Sequence, residues 1–496
     1  MAERQRFDVV VVGAGAAGCV VARRLTESGS RSVLLLEAGP DLRANPPAQI
    51  RDGWNITRDF DWGFKSEPAS NGVVRNVWRN KLVGGTSSVT RFTPRGSPSD
   101  YDEWAALGND GWGFDDVLPY FKRLEADTDF GYQPWHGDRG PMPSTRYLDR
   151  KFTEVGAAAM QALEAAGFPS VDDHNRPGAV GSGRMPMSTR DGIRITTADA
   201  YLPAGYAPPN LTVRADSQVA DVLIEGSRAR GIRLLDGSIV EAGQVVLCAG
   251  TYGSPPILMR SGVGPADHLR SLGIPVRVDL PGVGENLADH PSLDIEYRHH
   301  GPVREARLHC IATFHSQGRQ ADEAPDLMLW LADPGGPAGS PPTFDIEVVL
   351  LRPRSRGKVR LRSADPSDTP RIDLPHLQDP FDAQRLAEGY QRAIEVVRQP
   401  ALRDACADPS ASEARGDEVL EFIRANAYSI PHVVGTCAMG PRPKDGSVVD
   451  SSGNVHGTER LSVVDASIMP DVPSGFTHFP TIMIAERLSE RIRSLL

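Results

Sequence analysis

The chain opens on an apolar run, Phe7-Asp8-Val9-Val10-Val11-Val12, that stops at Gly13. A short run of this kind, bounded by glycine, predicts a strand buried on both faces, as in a parallel sheet. A second run, Val33-Leu34-Leu35-Leu36, follows after room for one helix, which makes residues 6–37 a β-turn-α-β unit. Aromatic and Gly/Pro-containing loops extend from there to about residue 78. Across 151–166 the apolar positions Phe152, Val155, Ala158, Met160 and Leu163 recur at helical spacing. From 209 to 250 the pattern becomes short strands, at 212–214, 219–224, 231–235 and 244–248, with Asp236-Gly237 as a hairpin turn. Arg352, Arg354, Arg356, Lys358, Arg360 and Arg362 fall on every second residue, which predicts one face of a strand or hairpin. That face reads as solvated surface charge, with a substrate-steering surface as the other reading. The Pro- and Gly-rich segment 333–342 predicts a flexible loop, open to use as a lid. The chain ends on a strand at 461–465, a loop, and a helix from about Thr481. No internal repeat is present.

The turn after the first strand has the order G-x-G-x-x-G in Gly13, Gly15 and Gly18, with Ala16 and Ala17 inside it. Gly13 permits the tight turn, and Gly15 lets the backbone approach phosphate oxygens. Gly18 lets the following helix pack on the sheet with its N-terminal N–H groups aimed at the anion. Glu37 ends the second strand 19 residues beyond Gly18, where a carboxylate accepts ribose hydroxyl protons. The layout predicts a nucleotide cofactor and leaves NAD and FAD equally open.

Composition narrows the function. At 496 residues the chain exceeds one ordinary core, so two or three domains are expected. Lys plus Arg total 54 against 64 Asp plus Glu, a formal charge of -10 with no basic tract. That balance argues against nucleic-acid and anionic-membrane partners. No apolar run reaches transmembrane length. The first strand begins within ten residues of the start, which leaves no room for a removable signal peptide. Cys19, Cys248, Cys310, Cys406 and Cys437 are odd in number and scattered, so a reducing cytoplasmic location is expected. His299-His300 would point to opposite faces of a strand, and no H-E-x-x-H or cysteine cluster accompanies them, so no metal site is expected. An esterase reading fails for want of a G-x-S-x-G elbow.

Four further motifs stand along the chain. They are Asn80-Lys81-Leu82-Val83-Gly84-Gly85-Thr86-Ser87-Ser88-Val89 with Arg95-Gly96-Ser97-Pro98 after it, then Gly250-Thr251-Tyr252-Gly253-Ser254-Pro255. Next come Pro281-Gly282-Val283-Gly284-Glu285-Asn286-Leu287 with Asp289-His290-Pro291, and His432-Val433-Val434-Gly435-Thr436 with Asp465-Ala466-Ser467 and Thr477-His478-Phe479-Pro480-Thr481. In this order, and over essentially the whole chain, they resemble the glucose-methanol-choline (GMC) oxidoreductases, in spacing closest to the bacterial alcohol and hydroxymethylfurfural oxidase branch. Gly84 to Ser88 also offers backbone N–H groups and hydroxyls suited to a pyrophosphate and a flavin edge.

The resemblance implies an α/β fold with a discontinuous Rossmann-like FAD-binding domain (1–150, 205–292 and 430–496). It implies an α+β substrate domain (151–204 and 293–429) built on an antiparallel sheet with helices. It selects FAD over NAD. It places Gly13, Gly15, Ala16, Ala17, Gly18, Glu37, Ala38, Val83, Gly84, Gly85, Thr86, Ser87, Ser88, Val219, Ala249 and Gly250 at the cofactor. Asp465 and Ala466 belong near the diphosphate and ribityl chain, and His478, Phe479 and Thr481 beside the isoalloxazine. A base must take the hydroxyl proton of an alcohol while hydride leaves for flavin N5, and His432, opening H-x-x-G-T, is expected to be that base. His478 holds the family's second position and is expected to orient the substrate oxygen.

Three positions depart from the family. Thr90 stands where members with covalent flavin carry histidine, so FAD is expected to be non-covalent. Arg91 reads either as a cavity cation favouring an anionic or polyhydroxylated substrate, or as an outward salt-bridge residue. Glu347 lies on the expected cavity sheet and is a candidate partner for Arg91, and Pro431 replaces an aromatic residue before His432. The reading is alcohol oxidation to a carbonyl, with dioxygen or another electron acceptor completing turnover. A lyase with structural FAD and a non-catalytic flavin-binding protein are the rivals, because a fold does not determine function.

Overall fold

A computed structural model describes residues 5–54, 57–69, 72–299, 308–332, 343–409 and 414–495. Segment 333–342 and His300 lie outside these residues, so the loop reading and the His299-His300 pair are not addressed by it.

The strand Arg6–Val12 (β1) is buried from Val9 onward, and its partners are the strand Val33–Leu36 (β2) on one side and Ile239–Leu247 on the other, both parallel. Leu211–Arg214 extends the sheet beyond β2. Ile239–Leu247 changes partners along its length. Its first residues pair antiparallel with Arg228–Leu234, and its last pair parallel with Leu461–Val463. Val219–Glu225 completes the seven strands. Helix Ala16–Thr26 (α1) and the C-terminal helix His478–Leu495 pack over this sheet through Val20, Val21, Ala485 and Leu488. The last helix starts three residues before the expected Thr481. Pro480 sits in its first turn, where a missing N–H costs nothing.

The second sheet has seven strands, and every pairing in it is antiparallel. Its order is Cys406–Pro409, Pro291–His299, Thr343–Leu350, Leu327–Ala332, His309–Phe314 and Gly181–Arg184, with Tyr428–Ser429 also on Pro291–His299. One face, through Leu293, Ile295, Phe344, Ile346 and Val348, is covered by helices Glu154–Ala165 and Pro380–Val397. The first of these starts where the Thr153 hydroxyl accepts from Gly156 N at 3.1 Å, a helix cap the spacing alone did not reveal. The 151–204 segment does not stay whole. Ala198, Tyr201 and Leu202 are buried in the core packed on the first sheet, and the Tyr201 hydroxyl donates to Glu486 at 2.7 Å. A boundary at 204 therefore falls too late.

The basic residues alternate with buried neighbours from 351 to 362, as their spacing predicts, but most of them are paired rather than free in solvent. Only Lys358–Arg360 is strand. Arg352 pairs with Asp100 and Glu103, Arg356 with Asp471 at 2.8 Å, Arg360 with Glu285 and Arg362 with Glu67 at 2.7 Å, while Arg354 stacks on Phe381. Each of these five arginines ties a different part of the chain to this segment.

A buried ionic cluster lies around the short strand pair Glu125–Asp127 and Met142–Ser144. His136 Nδ1 lies 2.7 Å from Glu125, its Nε2 lies 2.9 Å from Asp173, and Arg146 donates to Asp127 and Asp173 at 2.7 Å each. Glu125, Asp127 and His136 bring metal-type ligand atoms together. Both imidazole nitrogens already face carboxylates, however, which is the geometry of an imidazolium. Burial alone would lower the His136 pKa, but hydrogen bonds to Asp173 and Glu125 outweigh it and raise it to about 9. The unfolded-state value is ~6.5, so the stabilisation is complete below that pH and is lost as pH rises through about 9. Melting curves should show roughly 3 kcal/mol less stability above that window. His136→Gln should flatten the dependence, and a wild-type curve without it would show that His136 is neutral.

Candidate active site

A cavity of about 450 Å³ runs from the first glycine turn to the His432 segment. Gly13, at φ 97°, turns the chain directly under the Cys248 carbonyl, 2.6 Å from where a Cβ would stand. At Gly15 a Cβ would meet nothing within 4 Å, so the turn presents bare backbone to the cavity. Gly18 is closed in instead, since a Cβ there would lie 1.8 Å from the Gly13 oxygen. Ala16, Ala17, Glu37 and Ala38 line the same end. Both Glu37 oxygens accept backbone N–H bonds, from Ala14 at 3.0 Å and Gly39 at 2.9 Å. Burial raises its pKa to about 7 against those bonds, and each oxygen keeps a lone pair for a ribose hydroxyl.

The segment after Val83 docks on this turn. Gly84 N donates to Ala14 O at 2.8 Å, and a Cβ on Gly85 would stand 2.8 Å from Gly15 Cα. The expected donors are only partly available. The Ser87 hydroxyl donates to Gly84 O at 2.6 Å and the Ser88 hydroxyl to Gly85 O at 2.7 Å, closing a 3-10 turn. Gly85, Thr86 and Ser87 line the cavity, while Val83, Gly84 and Ser88 form the layer behind.

The middle and end of the chain supply the opposite wall. Asp465 Oδ2 accepts from Gly250 N at 2.9 Å and the Ser254 hydroxyl at 2.6 Å, and its Oδ1 accepts from Ser467 N at 2.8 Å. One buried carboxylate thus ties two cavity segments together. Val219, Ala249, Gly250, Asp465, Ala466 and Thr481 all face the cavity. Phe479 does not. It is 1 % exposed within the hydrophobic core behind, so its expected place beside the ring system is corrected.

Two histidines reach the same cavity. His432 is half-buried and open to it, next to exposed Pro431, with the Phe476 ring 4.5 Å away. Its backbone N donates to Asp289 Oδ1 at 2.9 Å, and its Nδ1 meets His290 Nδ1 at 3.1 Å. Burial, and then the neighbouring His290 ring and the Arg79 charge, hold its pKa well below the usual histidine value. His478 opens the C-terminal helix. Burial lowers its pKa to about 4, and its Nε2 is buried without a hydrogen-bond partner. Both rings are therefore neutral at physiological pH.

Arg91 and Glu347 are not among the residues lining this cavity. Arg91 is 5 % exposed, so it is not turned outward. Its guanidinium lies 4.4 Å over the Phe92 ring, one aromatic layer behind Phe476. Glu347 is bonded by the Ser292 hydroxyl at 2.6 Å and Tyr428 at 2.8 Å rather than by Arg91. Burial and the neighbouring Asp294 raise its pKa to about 8.

Sequence reasoning missed a wall of rings and cations. Trp62 stacks on Phe64, Lys81 sits 4.6 Å over Trp62, and Arg79 lies 5.0 Å over Tyr252. All five line the cavity. The signal was the interleaving of aromatic and basic residues between 58 and 81, read only as loop. His290 was also passed over as a motif letter.

Comparison with known proteins agrees with this geometry. Two GMC oxidoreductase family models match residues 7–292 and 353–485. The chain is 36 % identical to a 5-(hydroxymethyl)furfural oxidase of Methylovorus sp., covering 98 % of both chains. It is 35 % identical to an oxygen-dependent choline dehydrogenase of Paraburkholderia phymatum, covering 99 % of this chain and 93 % of that one. The solved pyridoxine 4-oxidase from Mesorbium loti superposes with a TM-score of 0.89 at 29 % identity, over 98 % of each chain. None of these three supports the lyase reading. Bare backbone at Gly15, the Glu37 carboxylate and the unpartnered His478 Nε2 fit a dinucleotide with a polar ring system. The chain belongs to the GMC oxidoreductases, and its cofactor is FAD.

Proposed function

We propose that this protein oxidises a small alcohol to the carbonyl compound, with His432 as the proton acceptor and His478 as the group that orients the substrate oxygen. The carrying observation is that two neutral imidazoles, from segments 46 residues apart, open on the same cavity as the dinucleotide turn. Bound FAD supplies the two-electron acceptor for the carbon-bound hydrogen. The protein supplies the proton chemistry. A neutral His432 takes the hydroxyl proton, and the buried His478 Nε2 gives the substrate oxygen a partner. Gly13, Gly15, Glu37, Gly85, Thr86, Val219, Asp465 and Ala466 would hold the cofactor.

Two of the relatives act, by their names, on a hydroxymethyl group carried by a heteroaromatic ring. Phe476, Phe92 and Trp330 pack behind His432 without lining the cavity, so the same substrate class is proposed here from those two relatives. Dioxygen is the proposed electron acceptor, and a small-molecule alcohol the proposed substrate. None of the described helices is long and apolar enough to cross a membrane. All five cysteines are buried and form no disulfide among the described residues, which favours the cytoplasm. The test is an anaerobic screen of heteroaromatic, quaternary-ammonium and aliphatic alcohols for flavin bleaching, followed by peroxide measurement in air. Failure to bleach with every class would overturn the proposal.

Thr90 lines the cavity at the position that the family resemblance assigns to the histidyl link, and FAD is proposed to be held without a covalent bond. Acid precipitation should release intact FAD into the supernatant. Flavin fluorescence remaining with the precipitate would contradict this.

A further inference from the structure

His290 lies directly behind His432, fully buried, in the strand-leading motif Asp289-His290-Pro291. Its Nε2 is 3.1 Å from the Pro473 carbonyl oxygen, and its Nδ1 is 3.1 Å from His432 Nδ1. The two rings stand nearly perpendicular, at 84°. Asp289 sets this contact from the backbone. Its Oδ1 accepts from His290 N at 2.8 Å and from His432 N at 2.9 Å, and the Ser429 hydroxyl donates to its Oδ2.

We propose that His290 is a positioning residue that fixes His432 in the tautomer with hydrogen on Nδ1, leaving the Nε2 lone pair as the proton acceptor. The argument follows the hydrogens. A carbonyl oxygen only accepts, so His290 Nε2 carries the hydrogen that points at Pro473. His290 is neutral, because burial lowers its pKa to about 4 against the Pro473 and Leu351 carbonyls, with the Arg352 charge lowering it further. A neutral ring protonated at Nε2 has a bare Nδ1. The facing nitrogen, His432 Nδ1, must then be the donor, and a neutral His432 is left bare at Nε2. The reverse arrangement would set the His290 Nε2 lone pair against the carbonyl oxygen in a site with no solvent, an unmade buried bond that is costly.

The arrangement also serves the protonated state. When His432 takes a proton at Nε2, its Nδ1–H already points at a neutral acceptor, and that bond strengthens as charge develops. His290 receives no proton and touches no substrate. The groups that bear on the pair are Asp289 on the backbone side, Arg79 toward the cavity and Arg352 behind His290.

This inference rests on His432 as the base, and its test separates the two claims. The first measurement is 15N NMR of histidine-labelled wild-type holoenzyme, with His432→Gln to assign the signal. A neutral ring with hydrogen on Nδ1 and a pyridine-type Nε2 is expected for His432. The opposite tautomer overturns the inference whatever the activity. The second is a variant series. His290→Phe should lower the limiting rate of flavin reduction about 10- to 100-fold, with KM and FAD content within about 2-fold. His290→Asn places an acceptor oxygen where Nδ1 stood and should recover most of that loss. Asn no better than Phe, or Phe as fast as wild type, would overturn the inference. If His290→Phe fails to fold, the NMR signature alone decides.

Discussion

His432→Ala should slow anaerobic flavin reduction by roughly two to four orders of magnitude, the range a general base contributes. FAD content should stay at the wild-type level. The grip on the dinucleotide lies at the first glycine turn and the 85–87 segment, while His432 reaches the cavity from between Pro431 and Val433. The loss should appear in the limiting rate rather than in substrate affinity, because the proton moves only in the reacting complex. An unchanged rate would transfer the base to His478. That ring is the weaker candidate: no hydrogen bond reaches its Nε2, whereas His432 is held through both its backbone and its Nδ1.

The second large effect is at Gly18. The atom a Cβ would strike is the Gly13 carbonyl oxygen at 1.8 Å, and it belongs to the phosphate-binding turn itself. Neither partner has a flexible side chain that could yield. Gly18→Ala must therefore lift α1 off the turn, at about 1–3 kcal/mol of stability, the usual range for overpacking. Because the displaced backbone is the one presented to the dinucleotide, FAD retention should fall by roughly 10-fold or more, as a loss of about 1.4 kcal/mol implies. Purified Gly18→Ala with wild-type flavin content and melting temperature would show that the turn and helix are not locked in this way.

What the sequence made legible follows from the range of the interactions. β1, the glycine turn and β2 are local: an apolar run, a φ that only glycine takes easily, and a carboxylate at a set distance. All three can be read from about thirty consecutive residues. The helix at Glu154–Ala165 was legible for the same reason, and only its Thr153 cap needed coordinates. The alternation of the arginines from 352 to 362 was legible because it is a local pattern, but their pairing was not, since Asp100, Glu285, Asp471 and Glu67 come from four distant segments. Arg91 failed in the same way. Its place is set by Phe92 and by His309, 218 residues away. The candidate base was recognisable only through its motif, and what orients it was not. His290 and His432 are 142 residues apart, and nothing in either segment announces that the rings meet.

The central claim is tested most directly by a single anaerobic turnover with a heteroaromatic primary alcohol and its dideuterated carbinol. The account predicts one carbonyl product per flavin reduced, with reduction slower for the deuterated alcohol, because the carbon–hydrogen bond breaks in the same complex in which His432 takes the proton. Bleaching without stoichiometric product, or carbonyl formed while the flavin stays oxidised, would contradict it.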